Sequence, residues 1–250
     1  MSPASDAATQ VTRAAWPERD GALRSPLLEG HGLVAGFTTR ALGAMAGTLA
    51  VAEEQRRNRG ALTRLLGFED VVRVRQVHGA AVVHADAPFD VWPEADGIWT
   101  ERPGLLLGVG GADCVPVLVA DPQSLIGAAH AGWQGTTLRV TEALVDAMVQ
   151  AGASQQRMVA ALGPSIGPCC YTIDEERAAL VRERLGPAAI EGNAFDLWRA
   201  NAAQLAGRGV RAIEVSGICT RCGGADLWSY RARHERGPQG TALGFIGRPA

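Results

Sequence analysis

Short apolar runs alternate with small-residue loops through the middle of the chain and predict buried strands. Val71–Val77 alternates with a period of two, which places His78 at the inward-facing tip of a strand and turns Arg73 outward. Leu105–Val109 and Val115–Ala120 are almost wholly apolar, which is typical of strands buried on both faces. The same reasoning predicts strands over Leu125–Ala129, Met158–Leu162, Val210–Val215 and Thr241–Ile246.

Three longer segments have the spacing of amphipathic helices: Thr136–Ala151, Asp174–Leu185 and Phe195–Ala206. Strands and helices alternate irregularly, without a βαβ period, and this favours an α+β fold with mixed sheets. We expect a single domain over residues 21–250, because no repeat or linker interrupts it. Residues 1–20 are rich in Ala, Ser and Thr and lack an apolar centre, which indicates a flexible leader rather than a secretory signal.

Three candidate metal ligands lie where apolar runs end: His78, Cys114 and His130. Strand ends project side chains into clefts, and two imidazoles with one thiolate suit a catalytic zinc whose fourth position stays open. The same residues suit a Cys114 nucleophile with His130 as its base, and the pattern leaves both interpretations open. Asp113, beside Cys114, is a candidate proton acceptor, a hydrogen-bond partner of a ligand, or simply a turn residue.

The other four cysteines form two close pairs, Cys169-Cys170 and Cys219-x-x-Cys222. Together they offer the ligands of a separate four-thiolate zinc site. Such sites usually combine two pairs that are each spaced by two residues, so the default interpretation is buried or loop thiols.

All 24 basic residues are arginine. The absence of lysine excludes a phosphate-loop NTPase and a Schiff-base or pyridoxal-phosphate enzyme, so arginine or backbone N–H groups are expected to hold any anion. The formal charge of −2, with no basic block, argues against nucleic-acid binding.

No run approaches the roughly 20 apolar residues of a membrane span. Five cysteines without an export signal indicate reduced thiols and a cytoplasmic location.

A series of short motifs runs from Phe37 to the C-terminus. The segments are Phe37–Arg40, Asn58–Arg59, Gln76–His78, Ala95–Thr100, Ala112–Leu118, His130–Trp133, Gly163–Tyr171, Cys219–Thr220 and Ser229–Arg231. In order and spacing they resemble the laccase-domain family, whose members are described variously as polyphenol oxidases, purine nucleoside phosphorylases and peptidoglycan editing factors.

The resemblance implies a four-layer α-β-β-α sandwich related to the toxin-type cysteine deamidases. It also implies zinc at the three candidate ligands, and Arg40, Arg59 and Asp113 match motif positions near that site. The implied activity is phosphorolysis of adenosine, inosine and methylthioadenosine to the free base and a ribose 1-phosphate, with some adenosine deamination.

The chain departs from the family pattern at several polar positions. Gln134 stands where an arginine usually follows the tryptophan, Thr172 replaces an acidic residue, and Ala232 breaks a double arginine. A longer loop that contains glycine and asparagine is expected after Arg40, whereas here Ala41–Ala52 is short and has no asparagine. A lost arginine bears directly on how phosphate is held.

The leading hypothesis is a zinc-dependent purine nucleoside phosphorylase that acts on a nucleoside and phosphate. Arg40 or Arg59 would hold the anion, and Asp113 is the candidate proton carrier in deamination. One alternative is a metal-free amidase or hydrolase that uses Cys114 on peptidoglycan precursors, and another is a non-catalytic binding protein. A third is a copper polyphenol oxidase; five histidines without a His-x-His pair argue against a four-copper centre, although one copper ion suits a soft site.

Overall fold

The computed structural model describes residues 9–48, 50–223, 226–236 and 239–250. The strands are β1 (Gln10–Arg13), β2 (Glu18–Arg19), β3 (Ala22–Arg24), β4 (Val34–Thr38), β5 (Val71–Val72), β6 (Val82–His84), β7 (Gly97–Thr100), β8 (Leu106–Gly111), β9 (Val115–Asp121), β10 (Leu125–Ala131), β11 (Val159–Leu162), β12 (Ile190–Glu191), β13 (Ala194–Phe195), β14 (Ala212–Val215) and β15 (Ala242–Gly247). The helices are α1 (Pro26–Gly30), α2 (Ala52–Leu66), α3 (Trp133–Thr137), α4 (Val140–Gln150), α5 (Glu175–Leu185) and α6 (Leu197–Gly207).

The strands of the described residues form two large sheets. Sheet A has seven strands in the order β1-β14-β11-β9-β10-β7-β6, and sheet B has six in the order β2-β3-β4-β15-β8-β5. Both sheets mix parallel and antiparallel pairs, because β14 runs parallel to β11 and β5 runs parallel to β8. The mixed sheets confirm the predicted α+β class.

Alternate residues of the central strands face different layers. In β9, Val117 and Val119 pack with Leu144 of α4, whereas Leu118 and Ala120 face sheet B. This period of two explains why the strand is apolar throughout, since both of its faces are buried.

Sheet B is buried on both faces in the same way. Leu107 of β8 and Ile246 of β15 face sheet A, while Leu106 and Phe245 pack with Leu62 of α2. The order helix, sheet, sheet, helix confirms the α-β-β-α sandwich in one domain. The likeness to toxin-type cysteine deamidases stays a prediction.

The predicted helices are present with small changes at their ends. Asp174 caps α5 by accepting from the N–H of Arg177, and Asp196 caps α6 in the same manner. The segment predicted as one helix over Thr136–Ala151 is instead α3 and α4, which meet at Arg139 in a left-handed conformation with φ 64°. None of the helices in the described ranges is both long and apolar enough to cross a bilayer.

Residues 1–20 were expected to form a flexible leader, but the second half of this segment is part of the two sheets. Gln10–Arg13 runs parallel to β14 at the edge of sheet A, and Glu18–Arg19 pairs with β3 of sheet B. Trp16, between them, is buried in the layer that joins the sheets. Ordered structure thus begins before residue 21, and residues 1–8 lie outside the described part.

The predicted strand over Val71–Val77 is shorter than expected. The backbone pairing of β5 with β8 ends at Val72. Further along, the side-chain amide of Gln76, instead of a backbone group, forms the hydrogen bonds to β8. Its amide donates to the carbonyl of Gly110 over 3.0 Å and accepts from the Gly110 N–H over 2.7 Å. Because the chain leaves the sheet here, Arg73 turns inward and is buried rather than facing outward.

Candidate metal centre

The three predicted metal ligands lie together at one end of the two sheets. Cys114 sits where the chain crosses from β8 in sheet B to β9 in sheet A, and His130 lies near the end of β10. His78 lies in the loop after β5, in a left-handed conformation with φ 60°. One ligand atom from each residue falls within 4.8 Å of the others, and the rings of His78 and His130 meet edge to face.

Asp96 organises this centre, although no pattern in the sequence marks it as a functional residue. It is fully buried just before β7. Its carboxylate accepts hydrogen bonds from the backbone N–H groups of Val77, His78 and Gly79, at distances of 2.6 to 3.1 Å. It also lies 2.9 Å from Nδ1 of His130. One carboxylate thus fixes two of the three ligands.

The hydrogen bonds of Asp96 also set the chemistry of His130. Burial alone would raise the pKa of Asp96, but the bonds from His130 and Gly79 lower it below its usual value, so the carboxylate stays ionised. An ionised carboxylate at Nδ1 favours a proton on that nitrogen, and this leaves Nε2 as the atom available to a metal.

Cys114 and His130 stabilise each other's charged forms. Burial opposes ionisation of both, but their mutual attraction is stronger. The pKa of Cys114 falls to about 6 through His130 and then His78. The pKa of His130 rises to about 10 through Cys114 and then Asp96. The thiolate, which is the form that binds a metal, therefore prevails at neutral pH.

The donor set fits zinc, and by its softness also copper. One thiolate and two imidazoles match the ligands that proteins use for both ions. Three donors leave a fourth position free, and all three residues line a cavity of about 880 Å³. A cavity of that size holds a drug-sized ligand.

Gly132 is required at the centre for steric reasons. A Cβ atom at this position would lie 2.7 Å from Sγ of Cys114 and 3.4 Å from Cδ2 of His78. The His130-Ala-Gly-Trp133 motif therefore supplies one ligand and, two residues later, the gap into which another ligand fits.

Asp113 lines the same cavity, but its carboxylate is already engaged. One oxygen accepts from the hydroxyl of Thr220 over 2.6 Å, and the other accepts from the backbone N–H of Arg231 over 2.7 Å. Its backbone has φ 97°, in the turn that presents Cys114. These contacts connect the turn that carries Asp113 and Cys114 to the loops that carry Thr220 and Arg231.

The two arginines predicted to bind substrate are not among the residues that line the cavity. Arg40 pairs with Asp226 over 3.0 Å and stacks on Trp228. Arg59 is buried and donates to the carbonyl of Met45 over 2.5 Å. The cavity wall instead carries Arg73, Arg75, Arg177 and Arg231.

Arg73 stands out among these four arginines. It is only 6% exposed, and its Nε has no hydrogen-bond partner among the residues that the structure describes. Its guanidinium lies 4.8 Å from the ring centre of Trp92. Burial, with Arg59 nearby, lowers its pKa to about 10, so it remains charged at neutral pH. A buried cation without a bonded counter-charge is costly, which makes Arg73 a ready partner for an anion in the cavity.

Replacing Asp96→Asn should weaken zinc binding by about 10–100-fold, the usual effect of removing a hydrogen-bond partner of a metal ligand. The amide is neutral and cannot hold His130 and three backbone N–H groups equally well. Competition with a chelator of known affinity measures the change. Asp146→Asn, on α4 against Arg208, is the control and should bind zinc normally. Equal affinity in both variants would contradict the role of Asp96.

Gly132→Ala should also weaken zinc binding, by about 10-fold, because overpacking of this kind costs about 1–3 kcal/mol. The added methyl displaces Cys114 and His78 but removes none of the three candidate ligand residues. Gly207→Ala is the matched control, since a Cβ there meets nothing within 4 Å. Both variants are compared by zinc titration of the metal-free protein, and unchanged affinity in Gly132→Ala would rule out the steric argument.

Comparisons with known proteins agree with this architecture. A curated relative from Deinococcus radiodurans, named purine nucleoside phosphorylase, is 42% identical over 246 residues, which cover 90% of this chain and 93% of the relative. A relative named adenosine deaminase RL5, from an unknown prokaryotic organism, is 32% identical over 184 residues, 66% of this chain and 70% of its own. The crystal structure of YlmD from Geobacillus stearothermophilus superposes with a TM-score of 0.82 at 31% identity, covering 94% of this chain and 99% of that one.

A family model described as multi-copper polyphenol oxidoreductase laccase matches residues 35–249. This range contains the three ligands, Asp96 and the whole cavity wall. The resemblance recognised in the sequence motifs is thereby confirmed, and the chain belongs to the multi-copper polyphenol oxidoreductase laccase family.

Proposed function

We propose that this protein is a purine nucleoside phosphorylase that works with zinc at His78, Cys114 and His130. The observation that carries the proposal is the open three-ligand centre at the wall of an arginine-lined cavity. The names of the relatives, most of them purine nucleoside phosphorylase, support the same reaction. Because Cys114 must stay reduced to act as a ligand, we propose a cytoplasmic location.

Phosphorolysis joins a phosphate oxygen to the anomeric carbon as the bond from that carbon to the purine nitrogen breaks. The base leaves with the bonding electrons and takes up a proton. Zinc, when bound, supplies a Lewis acid that orients or polarises a group in its open position. The remaining task of the protein is to hold two reactants in line and to keep the phosphate dianion next to cations.

Aromatic side chains in the cavity wall would stack against the purine base. Trp133, Tyr171 and Tyr230 line the cavity beside the metal centre. Arg177 and Arg231 stack on Trp133 and Tyr171, at 5.1 Å from each ring centre, and so keep these rings in place. Flat aromatic rings bind purines of different substitution, which suits adenosine, inosine and methylthioadenosine alike.

Arg73 is the residue that we assign to phosphate. It carries a buried Nε without a partner among the described residues, and it lines the same cavity as Gln76 and His78. Arg59 adds positive charge behind it, and its contact with Met45 keeps the loop 44–48 in place. Arg40, which pairs with Asp226, is left with a structural role. We also propose that Asp113 positions Arg231 rather than moving a proton, because both of its oxygens are occupied.

Adenosine deamination is a second candidate reaction, favoured by the open position next to the purine surface and by the relative named adenosine deaminase. Water would add to the ring carbon that bears the amino group, and ammonia would leave. A hydrolase that uses Cys114 is the third candidate, since the Cys114–His130 pair also has the charge state of an activated thiol.

The reaction can be tested with purified zinc-loaded protein and a panel of adenosine, inosine and methylthioadenosine, with and without phosphate. Free base and a ribose 1-phosphate should form only when phosphate is present. His130→Ala should lower the rate by about 100-fold or more, because a bound metal supplies several kcal/mol of charge stabilisation. His84→Ala is the control, since His84 lies on β6, pairs with Glu101 and is not among the residues that line the cavity.

Base release that does not require phosphate, or that survives in His130→Ala, would overturn the assignment. Inosine and ammonia formed from adenosine would identify the deaminase reaction. A chelator separates the metal enzyme from the thiol hydrolase, because only the metal enzyme loses activity when zinc is removed. Alkylation discriminates less well, since it also attacks a thiolate ligand.

Arg73→Gln should raise the KM for phosphate by about 10–100-fold, the equivalent of a charged hydrogen bond worth about 1.5–3 kcal/mol. The KM for the nucleoside should change much less. Phosphate should also raise the Tm of the wild-type protein but not that of Arg73→Gln. Arg64→Gln, exposed on α2, serves as the charge-matched control. An unchanged phosphate KM in Arg73→Gln would place the anion elsewhere.

A further inference from the structure

Four cysteine thiols lie close together where the loop after β11 meets the loop after β14. Cys169 and Cys170 end the segment Gly163–Cys170, and Cys219 and Cys222 lie in the loop after β14. Their sulfur atoms all lie within 4.8 Å of one another. The sulfurs of Cys169 and Cys222 are 3.4 Å apart. The fold has therefore brought together two cysteine pairs that are about 50 residues apart in sequence.

The Cys219-x-x-Cys222-Gly223 turn has the local structure of a metal-binding loop. The N–H of Gly223 donates to the carbonyl of Cys219 over 2.7 Å, which closes the turn. A side chain at Gly223 would collide with that carbonyl, so glycine is needed there. The N–H of Gly167 donates to the sulfur of Cys219 over 3.3 Å. An N–H aimed at sulfur stabilises the thiolate form that coordinates a metal.

The second pair is presented by a turn of its own. The N–H of Cys170 donates to the carbonyl of Gly167 over 2.9 Å, which curls the chain towards Cys219. Gly167 thus takes part in both halves of the cluster, with its N–H on the Cys219 sulfur and its carbonyl in the turn of Cys170.

The spacing of the sulfurs matches a tetrahedral ion. A zinc–sulfur distance of about 2.3 Å places the sulfurs of a tetrahedral site about 3.8 Å apart. The cluster is already within about 1 Å of that geometry. Thiolates this close repel one another strongly unless a cation lies between them, and soft sulfur ligands in a tetrahedral set select zinc among the common divalent ions.

We propose that Cys169, Cys170, Cys219 and Cys222 bind one zinc ion in a closed, structural four-thiolate site. Four protein ligands leave no position for water or substrate, in contrast to the three-ligand centre. The ion would join the segment 163–170 to the loop 219–223. It thereby holds Thr220, which donates to Asp113, and Ile166, which lines the cavity. This proposal does not depend on the reaction that the other centre catalyses.

Metal content tests the site directly. Wild-type protein purified with reductant and zinc should contain about two zinc ions per chain, one for each ligand cluster. Cys222→Ser and Cys114→Ser should each contain about one, because each variant removes a ligand of a different site. Cobalt in the Cys114→Ser protein should give the absorption bands of tetrahedral sulfur coordination, including sulfur-to-cobalt charge transfer.

A second measurement needs no variant and remains informative if Cys222→Ser does not fold. Cys169 and Cys222 are exposed, so an alkylating reagent should label both in chelator-treated protein. Zinc should protect them, as read by mass spectrometry of the peptides. One zinc per chain in the wild-type protein, with labelling unaffected by zinc, would overturn the proposal. So would an iron–sulfur cluster, or a disulfide between Cys169 and Cys222 that persists in reductant.

Discussion

The buried carboxylate of Asp96 is the group on which the geometry of the candidate metal centre depends. It gathers three successive backbone N–H groups of the loop that carries His78, and it holds Nδ1 of His130 at 2.9 Å. A buried charge of this kind is costly unless fully bonded, and here every bond that satisfies it also positions a ligand. The left-handed backbone of His78 is stable because Asp96 bonds its N–H and those of its neighbours.

The four-layer sandwich supplies the rest of the geometry. Because β8 belongs to one sheet and β9 to the other, the chain must cross between the layers at Ala112–Cys114. The crossing exposes the thiolate at the end of the stacked sheets, where β10 delivers His130 and Gly132 leaves room for the sulfur. The cavity wall beside it carries Arg73, Arg75 and Arg231 on irregular segments and Arg177 on α5.

Much of the fold, and the three residues that cluster as candidate ligands, could be predicted from the sequence. The apolar runs gave the central strands, and the ligands stood out because each ends such a run. Asp96 could not be found this way, since nothing in Ala95-Asp-Gly indicates that one carboxylate will meet His130 and a distant loop. Arg73 was assigned to the outer face because a strand pattern assumes that pairing continues, and the Gln76 side chain replaces that pairing. Long-range contacts of this kind leave no local pattern.

Zinc-edge anomalous diffraction from crystals of the zinc-loaded protein tests the central claim most directly. We predict a peak coordinated by His78, Cys114 and Nε2 of His130, with the fourth position facing the cavity and Asp96 still bonded to Nδ1. A zinc ion bound through Nδ1 of His130, a fourth protein ligand that closes the site, or no peak at these residues would contradict the account.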